Sequence, residues 1–428
     1  MRRRHLITAT GVAAAAAPLA AVTPAQAAPA QAPSRGVTTG AQIQATADWQ
    51  LLRGQRVGVV TNPTGVLHDL TSIVDHMHAA RVDLVGVFGP EHGFRGTAQA
   101  GGSEGTFTDP RTGLTVYDTY GASTEKLATM LTTARVETLV FDIQDAGSRF
   151  YTYIWTMYQC MAAAVRVGAR FVVLDRPNPT GGAADGPMMF SPYQTFVGLK
   201  EIVQQHGMTV GELARFFDGE FLPRDEGKRL RDLTVVEMKG WRRDVRYDDT
   251  GLQWVMPSPN MPTPTTALVY PGTCMFEGTN LSEGRGTTRP FELIGAPFVD
   301  HRLAERINAR QLPGVRFREA YFTPTISKHA NKVCGGVQLH VTDAYAFEPI
   351  RTGVEMLVAL KALYPDVAWR KDNATLPYWI DKLTGSARLR EQIDAGATAD
   401  QVQATWRAEL AEFKARRRQY LIYNGPAR

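Results

Sequence analysis

The sequence predicts an α/β protein: a parallel sheet with helical crossovers in the first half and a smaller α+β unit in the second. Three observations carry this. Short apolar runs alternate with helical segments up to about residue 240, which is the pattern of a parallel sheet. Four of those runs break into polar, Gly/Pro-rich turns at their carboxyl ends: Thr61-Asn62-Pro63-Thr64-Gly65, Gly89-Pro90-Glu91-His92-Gly93, Asp142 to Arg149, and Asp175-Arg176-Pro177-Asn178-Pro179. The composition then changes sharply at Met256-Pro257-Ser258-Pro259-Asn260-Met261-Pro262-Thr263-Pro264, which cannot continue as a helix or central strand.

Taken in order, Arg2-Arg3-Arg4 and the Ala-rich stretch that ends at Ala25-Gln26-Ala27 have the form of a twin-arginine-like export signal over residues 1–27. Residues 28–48 read as a flexible Pro/Ala/Gly linker. No Cys lies near the cleavage point for a lipid anchor, and no later run is apolar enough to span a membrane, so a secreted or cell-wall-associated protein is expected. Strands are expected at Gln55–Val60, Val82–Phe88, Glu137–Phe141, Arg170–Leu174 and Leu233–Met238. Helices are expected at Leu70–Ala80, Ser123–Ala134 with Ser123 as N-cap, Tyr153–Val167 ending at Gly168, and Met208–Asp218 with Thr209 as cap. The domain boundary falls at the proline-rich segment, dividing 49–255 from 256–428. Beyond it, Thr266–Tyr270, Val315–Phe322 and Gly336–Val341 read as strands. Pro349–Leu363 and Ala399–Phe413 read as helices, the first with Pro in its first turn.

A hydrophobic share of 44% with 21% charged residues is that of a globular protein able to fill two cores. The net charge of +5, less the three leader arginines, leaves +2, and no basic stripe with interleaved aromatics occurs, so no nucleic-acid partner is expected. The three cysteines, Cys160, Cys274 and Cys334, make no disulfide framework. The oligomeric state is not legible.

In a parallel sheet, ligands bind beyond the carboxyl ends of the strands, so the four turns are expected to converge on one cleft. Glu91, flanked by glycines and beside His92, is the leading general acid. Asp142, Asp145 and Arg149 form a second turn, read evenly as functional or structural. Tyr151 offers a stacking face. Asp175-Arg176 reads as an acid–base pair fixing a proline-rich loop. In the second half, Arg285 lies between Gly284 and Gly286, suited to grip a carboxylate, and Glu277 or Glu283 could supply a second carboxyl. Asn62, Asn260 and Asn280 offer amide groups to the hydrogen-bonding atoms of a ligand. There is no dinucleotide-binding glycine turn, P-loop, nucleophile elbow or HExxH. His68, His76 and His78 read as a surface helix. A non-catalytic cell-wall binding protein, or a metal-dependent hydrolase using His92, Asp142 and Asp145, would employ the same cleft.

Thr61–Gly65, Phe88–Gly93, Asp142–Gly147, Pro257–Pro262 and the Pro271–Pro297 block, in this order, resemble the exo-β-N-acetylmuramidase family from about Gln55 to the C-terminus. The resemblance implies a Rossmann-like N-terminal domain, a smaller C-terminal domain and an active-site cleft between them. It also implies release of N-acetylmuramic acid from non-reducing ends of peptidoglycan fragments, with Glu91 as the proposed catalytic acid. Glycoside hydrolysis requires no cofactor and no metal, and peptidoglycan-derived muramyl sugars are the expected ligands.

Overall fold

The protein is described as a computed structural model covering residues 36–425. The expected export signal and the first part of the expected linker lie outside these residues. Thr61 and Gly89 end two strands that set the frame: β1 (Val57–Thr61) and β2 (Leu84–Gly89). They are followed by β3 (Phe107–Thr108), β4 (Thr115–Asp118), β5 (Thr138–Asp142), β6 (Arg170–Leu174), β7 (Asp185–Met188), β8 (Val203–Gln205) and β9 (Leu233–Val236). Seven of these form one sheet in the order β3-β4-β2-β1-β5-β6-β9, parallel throughout except for β3 on β4. β1, β5 and β6 are apolar almost without interruption because both faces are covered. The N-terminal lobe is therefore Rossmann-like, with its strand order reversing between β1 and β5.

The second lobe carries β10 (Leu293–Ala296), β11 (Val315–Phe322) and β12 (Cys334–Val341) as an antiparallel sheet, β10-β12-β11. Its helices Pro264–Thr273 and Pro349–Leu363 touch backbone to backbone: a Cβ on Gly272 would lie 1.9 Å from the Pro349 carbonyl oxygen, and one on Gly353 would lie 2.6 Å from that of Gly272. One apolar core runs from Val60 and Phe88 through the helix Tyr153–Val167 into the C-terminal helices. A second core covers the opposite face of the large sheet.

Several expected elements stand. Ser123 accepts from the Lys126 amide, Thr209 and Glu212 form a reciprocal capping box, and Gly168 closes Tyr153–Val167 at φ 72°. All three cysteines are buried free thiols. Three expectations are corrected. Thr266–Tyr270 lies inside the helix Pro264–Thr273: Thr263 accepts from the Thr266 amide and Pro264 occupies the first turn. A buried apolar run of five residues does not by itself distinguish helix from strand. Ala399–Phe413 is two helices, Ala399–Ala404 and Arg407–Arg417, because the side chain of Trp406 turns into the core between them. The described end of the expected linker is ordered. Thr39 caps the helix Gly40–Thr46, and the Gly40 N–H donates to the Asp175 carbonyl at 3.0 Å.

The chain end returns to the first lobe. Arg417 donates to the carbonyls of Gly182, His206 and Gly207, and the Tyr423 hydroxyl donates to Asp175 Oδ2 at 2.6 Å. Asp175 is fully buried and also receives the Thr209 hydroxyl and the amides of Arg176 and Gly211. Burial pushes its carboxyl up to about 7, against the pull of these hydrogen bonds. Its value in the unfolded chain is near 3.8. The folded protein therefore holds the extra proton, and stability present below about pH 4 is lost as the pH rises through about 7. Asp175→Asn keeps two acceptor bonds on Oδ1 and donates to the hydroxyls through Nδ2. Its melting temperature relative to wild type should rise from about pH 5 to about pH 8, by the equivalent of on the order of 3 kcal/mol. A difference that stays constant over that range would show that Asp175 does not titrate there.

Candidate active site

The crevice at the strand reversal is filled by the protein itself. Asp142, at the end of β5, takes a forked contact from Arg176 at 2.5 and 2.8 Å, both side chains being buried. Asn62 Oδ1 accepts from the amide and hydroxyl of Thr64, and Thr61 Oγ1 donates to the Asp142 carbonyl. Arg176 thus pairs across turns with Asp142, not with its neighbour Asp175. Asp145 is buried, accepting from the Gly147 amide at 2.7 Å and lying 3.2 Å from His206 Nε2. His206 Nδ1 accepts from the Met208 amide, which places the ring proton on Nε2, toward Asp145.

The open cleft lies further out, in a cavity of about 540 Å³ lined by both lobes. That volume suits a small ligand. Glu91 enters it from the turn after β2, where His92 and Gly93 have φ of 71° and 86°. A Cβ at Gly93 would lie 2.2 Å from the Glu104 side chain, so the turn requires glycine there. Each Glu91 oxygen has one donor: Gly101 N–H to Oε1 at 2.8 Å and the Thr152 hydroxyl to Oε2 at 2.6 Å. Thr152 is the N-cap of Tyr153–Val167, yet its hydroxyl makes no capping bond. It serves Glu91, at a helix N-terminus that favours negative charge. His92 lines the same cavity, its Nδ1 2.9 Å from the Ala98 carbonyl.

The floor is aromatic: Tyr151 packs edge-on against Tyr153 and Tyr270, and Tyr270 against Phe291. Burial pushes the Tyr151 phenol well up, so it is a neutral hydroxyl at the cleft. The proline-rich segment forms one wall through Ser258 and Asn260. It is pinned by the Tyr153 hydroxyl on the Pro257 carbonyl and by Trp254 Nε1 on the Met261 carbonyl. From the second lobe come Glu277, Arg285, Arg370, Trp379 and Lys382. Arg285 donates to Glu277 Oε1 at 2.8 Å and its Nε lies 3.3 Å from Glu283 Oε1. Burial alone would lower this guanidinium, but Glu277 and Glu283 hold it above its usual range. Glu283 is also paired with Lys328 at 2.7 Å and lines an adjoining cavity.

Of the residues expected at a site, the structure brings Glu91, His92, Tyr151, Asn260, Glu277 and Arg285 to one cavity, with Glu283 just behind. It does not bring Asn62, Asp142, Asp145, Arg149 or Asn280 to that lining. Asn280 is a clip on the outer side of the second lobe, bonded to the Asp366 carbonyl and the Ala368 amide. His92, Asp142 and Asp145 are committed to separate partners, and among the described residues no group of three His, Cys, Asp or Glu side chains is placed to hold a metal. Sequence reasoning missed Thr152, Tyr270, Arg370 and Trp379. Only Thr152 had a local signal, as the residue before a helix that opens at a strand-end turn.

Arg149 is corrected from ligand binder to cross-link. It is fully buried and donates to the carbonyls of Pro187, Ile202 and Leu383 at 2.7, 2.8 and 2.6 Å. Burial pushes its guanidinium down to about 9. Arg149→Met would strand three carbonyls across the lobe junction. A loss of about 3 kcal/mol or more in chemical denaturation is expected; a loss below about 1 kcal/mol would deny the cross-link its role.

Residues 57–265 match the family described as exo-β-N-acetylmuramidase NamZ, N-terminal, and residues 268–423 match exo-β-N-acetylmuramidase NamZ, C-terminal. The chain is 47% identical over 375 residues to the peptidoglycan β-N-acetylmuramidase NamZ of Bacillus subtilis strain 168, spanning 87% of this chain and 88% of that protein. Two crystal structures of DUF1343 family proteins from Bacteroides fragilis superpose well. One has a TM-score of 0.81 at 34% identity, covering 92% of this chain and 100% of that one. The other has 0.71 at 29% identity, covering 91% and 99%.

Proposed function

Because the chain belongs to the exo-β-N-acetylmuramidase family, we propose that it is an exo-acting glycoside hydrolase that releases N-acetylmuramic acid from non-reducing ends of peptidoglycan fragments. The observation that carries the site assignment is Glu91: a carboxyl in a two-lobed cleft, with a hydrogen-bond donor on each oxygen at a helix N-terminus. Most glycoside hydrolases place two carboxyl groups beside the scissile bond. Glu91 gives its proton to the glycosidic oxygen, and the donors from Gly101 and Thr152 stabilise the carboxylate left behind. Glu277, ion-paired with Arg285 in the same cavity, is the second carboxylate, acting on the anomeric side. Asn260 offers a neutral polar contact to hydroxyl or acetamido groups. A cell-wall substrate also supports export by the leader 1–27; N-terminal sequencing of secreted protein, finding cleavage after Ala27 or an intact leader, tests that part.

The test of function is turnover of a chromogenic N-acetylmuramic acid β-glycoside by the purified protein. Glu91→Gln should cut this rate by roughly 10²-fold or more on a poor leaving group while still binding the sugar, and the loss should shrink with a very good leaving group. Near-normal turnover by Glu91→Gln would remove the assignment. Binding without turnover by the wild type would make the cleft a carbohydrate-binding site only.

Thr152→Val tests how Glu91 is held. Loss of the hydroxyl donor leaves Glu91 Oε2 without its partner, so kcat should fall by roughly tenfold, the value of one charge-assisted hydrogen bond, with KM little changed. An unchanged kcat would show that Thr152 does not act through Glu91.

A further inference from the structure

N-Acetylmuramic acid carries one anionic group that N-acetylglucosamine lacks, the carboxylate of its lactyl ether. Selecting for it requires a cation that the protein has not already neutralised. Three cationic side chains line the main cavity. Arg285 is held between Glu277 and Glu283, and Lys382 is buried against Asp372. In the adjoining cavity, Lys328 is paired with Glu283 and donates to the carbonyls of Phe276 and Thr279. Glu277 and Glu283 therefore already match the charges of Arg285 and Lys328.

Arg370 differs from the others. Among the described residues no carboxylate or carbonyl takes up its guanidinium. Its guanidinium carbon lies 4.9 Å from the centroid of the Trp379 ring. Its backbone is clamped on both sides, N–H to the Gly278 carbonyl at 2.8 Å and carbonyl to the Trp379 N–H at 3.1 Å. A guanidinium held against an aromatic ring keeps its planar donor fork available for a carboxylate, and the clamped backbone reduces the ordering cost of using it. Arg370 also lines both the main cavity and the adjoining one of about 370 Å³, so it stands where a substituent leaving the sugar ring would pass.

We propose that Arg370, stacked on Trp379, binds the lactyl carboxylate and sets selectivity for muramic acid, in place of Arg285, which the sequence suggested as the grip on a carboxylate. This rests on the muramidase reading of the cleft. The test compares kcat/KM on 4-nitrophenyl N-acetyl-β-muramide with that on its lactyl carboxamide, for wild type, Arg370→Met and Arg370→Lys. Arg370→Met should lose roughly 10- to 100-fold on the acid, mainly through KM, and change little on the amide. Arg370→Lys, which keeps the charge but loses the fork, should fall between. Turnover of the amide reports that each variant is folded. Should Arg370→Met not fold, Arg370→Gln is expected to give the same lost preference. An acid-to-amide ratio unchanged from wild type, or equal losses on both substrates, would overturn the assignment of Arg370. Wild-type protein that hydrolyses neither substrate would overturn the reading of the cleft and this assignment with it.

Discussion

The buried guanidinium of Arg149 is the contact on which the cleft depends. A charge fully out of water is costly unless its donors are used, and Arg149 uses Nη1 and Nη2 on the β7 and β8 segments and on the helix Trp379–Thr384 of the second lobe. The Arg149 carbonyl in turn accepts from Trp155 Nε1 at 2.7 Å, inside the helix Tyr153–Val167. Tyr151 and Thr152 lie between these two anchors. One side chain therefore fixes the cleft floor, the helix end that faces Glu91, and the wall that carries Trp379.

This arrangement also explains why the ligand site is displaced from the strand reversal. In an open α/β sheet, the gap between diverging crossovers is the usual binding crevice. Here Asp142, Arg176, Asn62 and Thr64 satisfy one another in that gap. A buried pair with both members satisfied adds little net stability but is strongly destabilising to break, so these side chains are committed to one another. The open cavity lies at the next turn outward, where Glu91 meets a helix N-terminus and the second lobe.

Which parts were legible in the sequence follows from the range of the interactions. The helix Tyr153–Val167, its Gly168 terminus and the Thr209 cap are set within a few residues, and the sequence alone places them. Glu91 was legible because a strand followed by a glycine-flanked acid is also a local pattern. Arg149 and Asp142 were not, because nothing nearby tells whether a polar group at a strand end faces ligand or partner. Their partners lie 234 positions away in one case and 34 in the other. The Thr266–Tyr270 run misled because its β-branched and aromatic residues suit a strand, while Thr263 and Pro264 decide for a helix. Arg370 and Trp379 carry no motif and acquire meaning only once the chain brings them beside Glu277.

The distribution of charges between the lobes bears on how catalysis is organised. Glu91 belongs to the first lobe, and Glu277 with its partner Arg285 to the second. Neither lobe holds both carboxyl groups, so their separation is set at the junction. That junction is apolar core for much of its extent, continuous from β1 to the C-terminal helices, and it is tied across by Arg149. Packed cores resist continuous deformation, and a preorganised site spends no reorganisation energy when charge develops in the transition state. The geometry therefore places the two carboxyls by packing before substrate arrives. The loop Glu91–Glu104, held by the Glu104 carboxylate on the amides of Arg95 and Thr97, extends the same logic to Glu91, because its turn is internally bonded and does not wait on ligand to form.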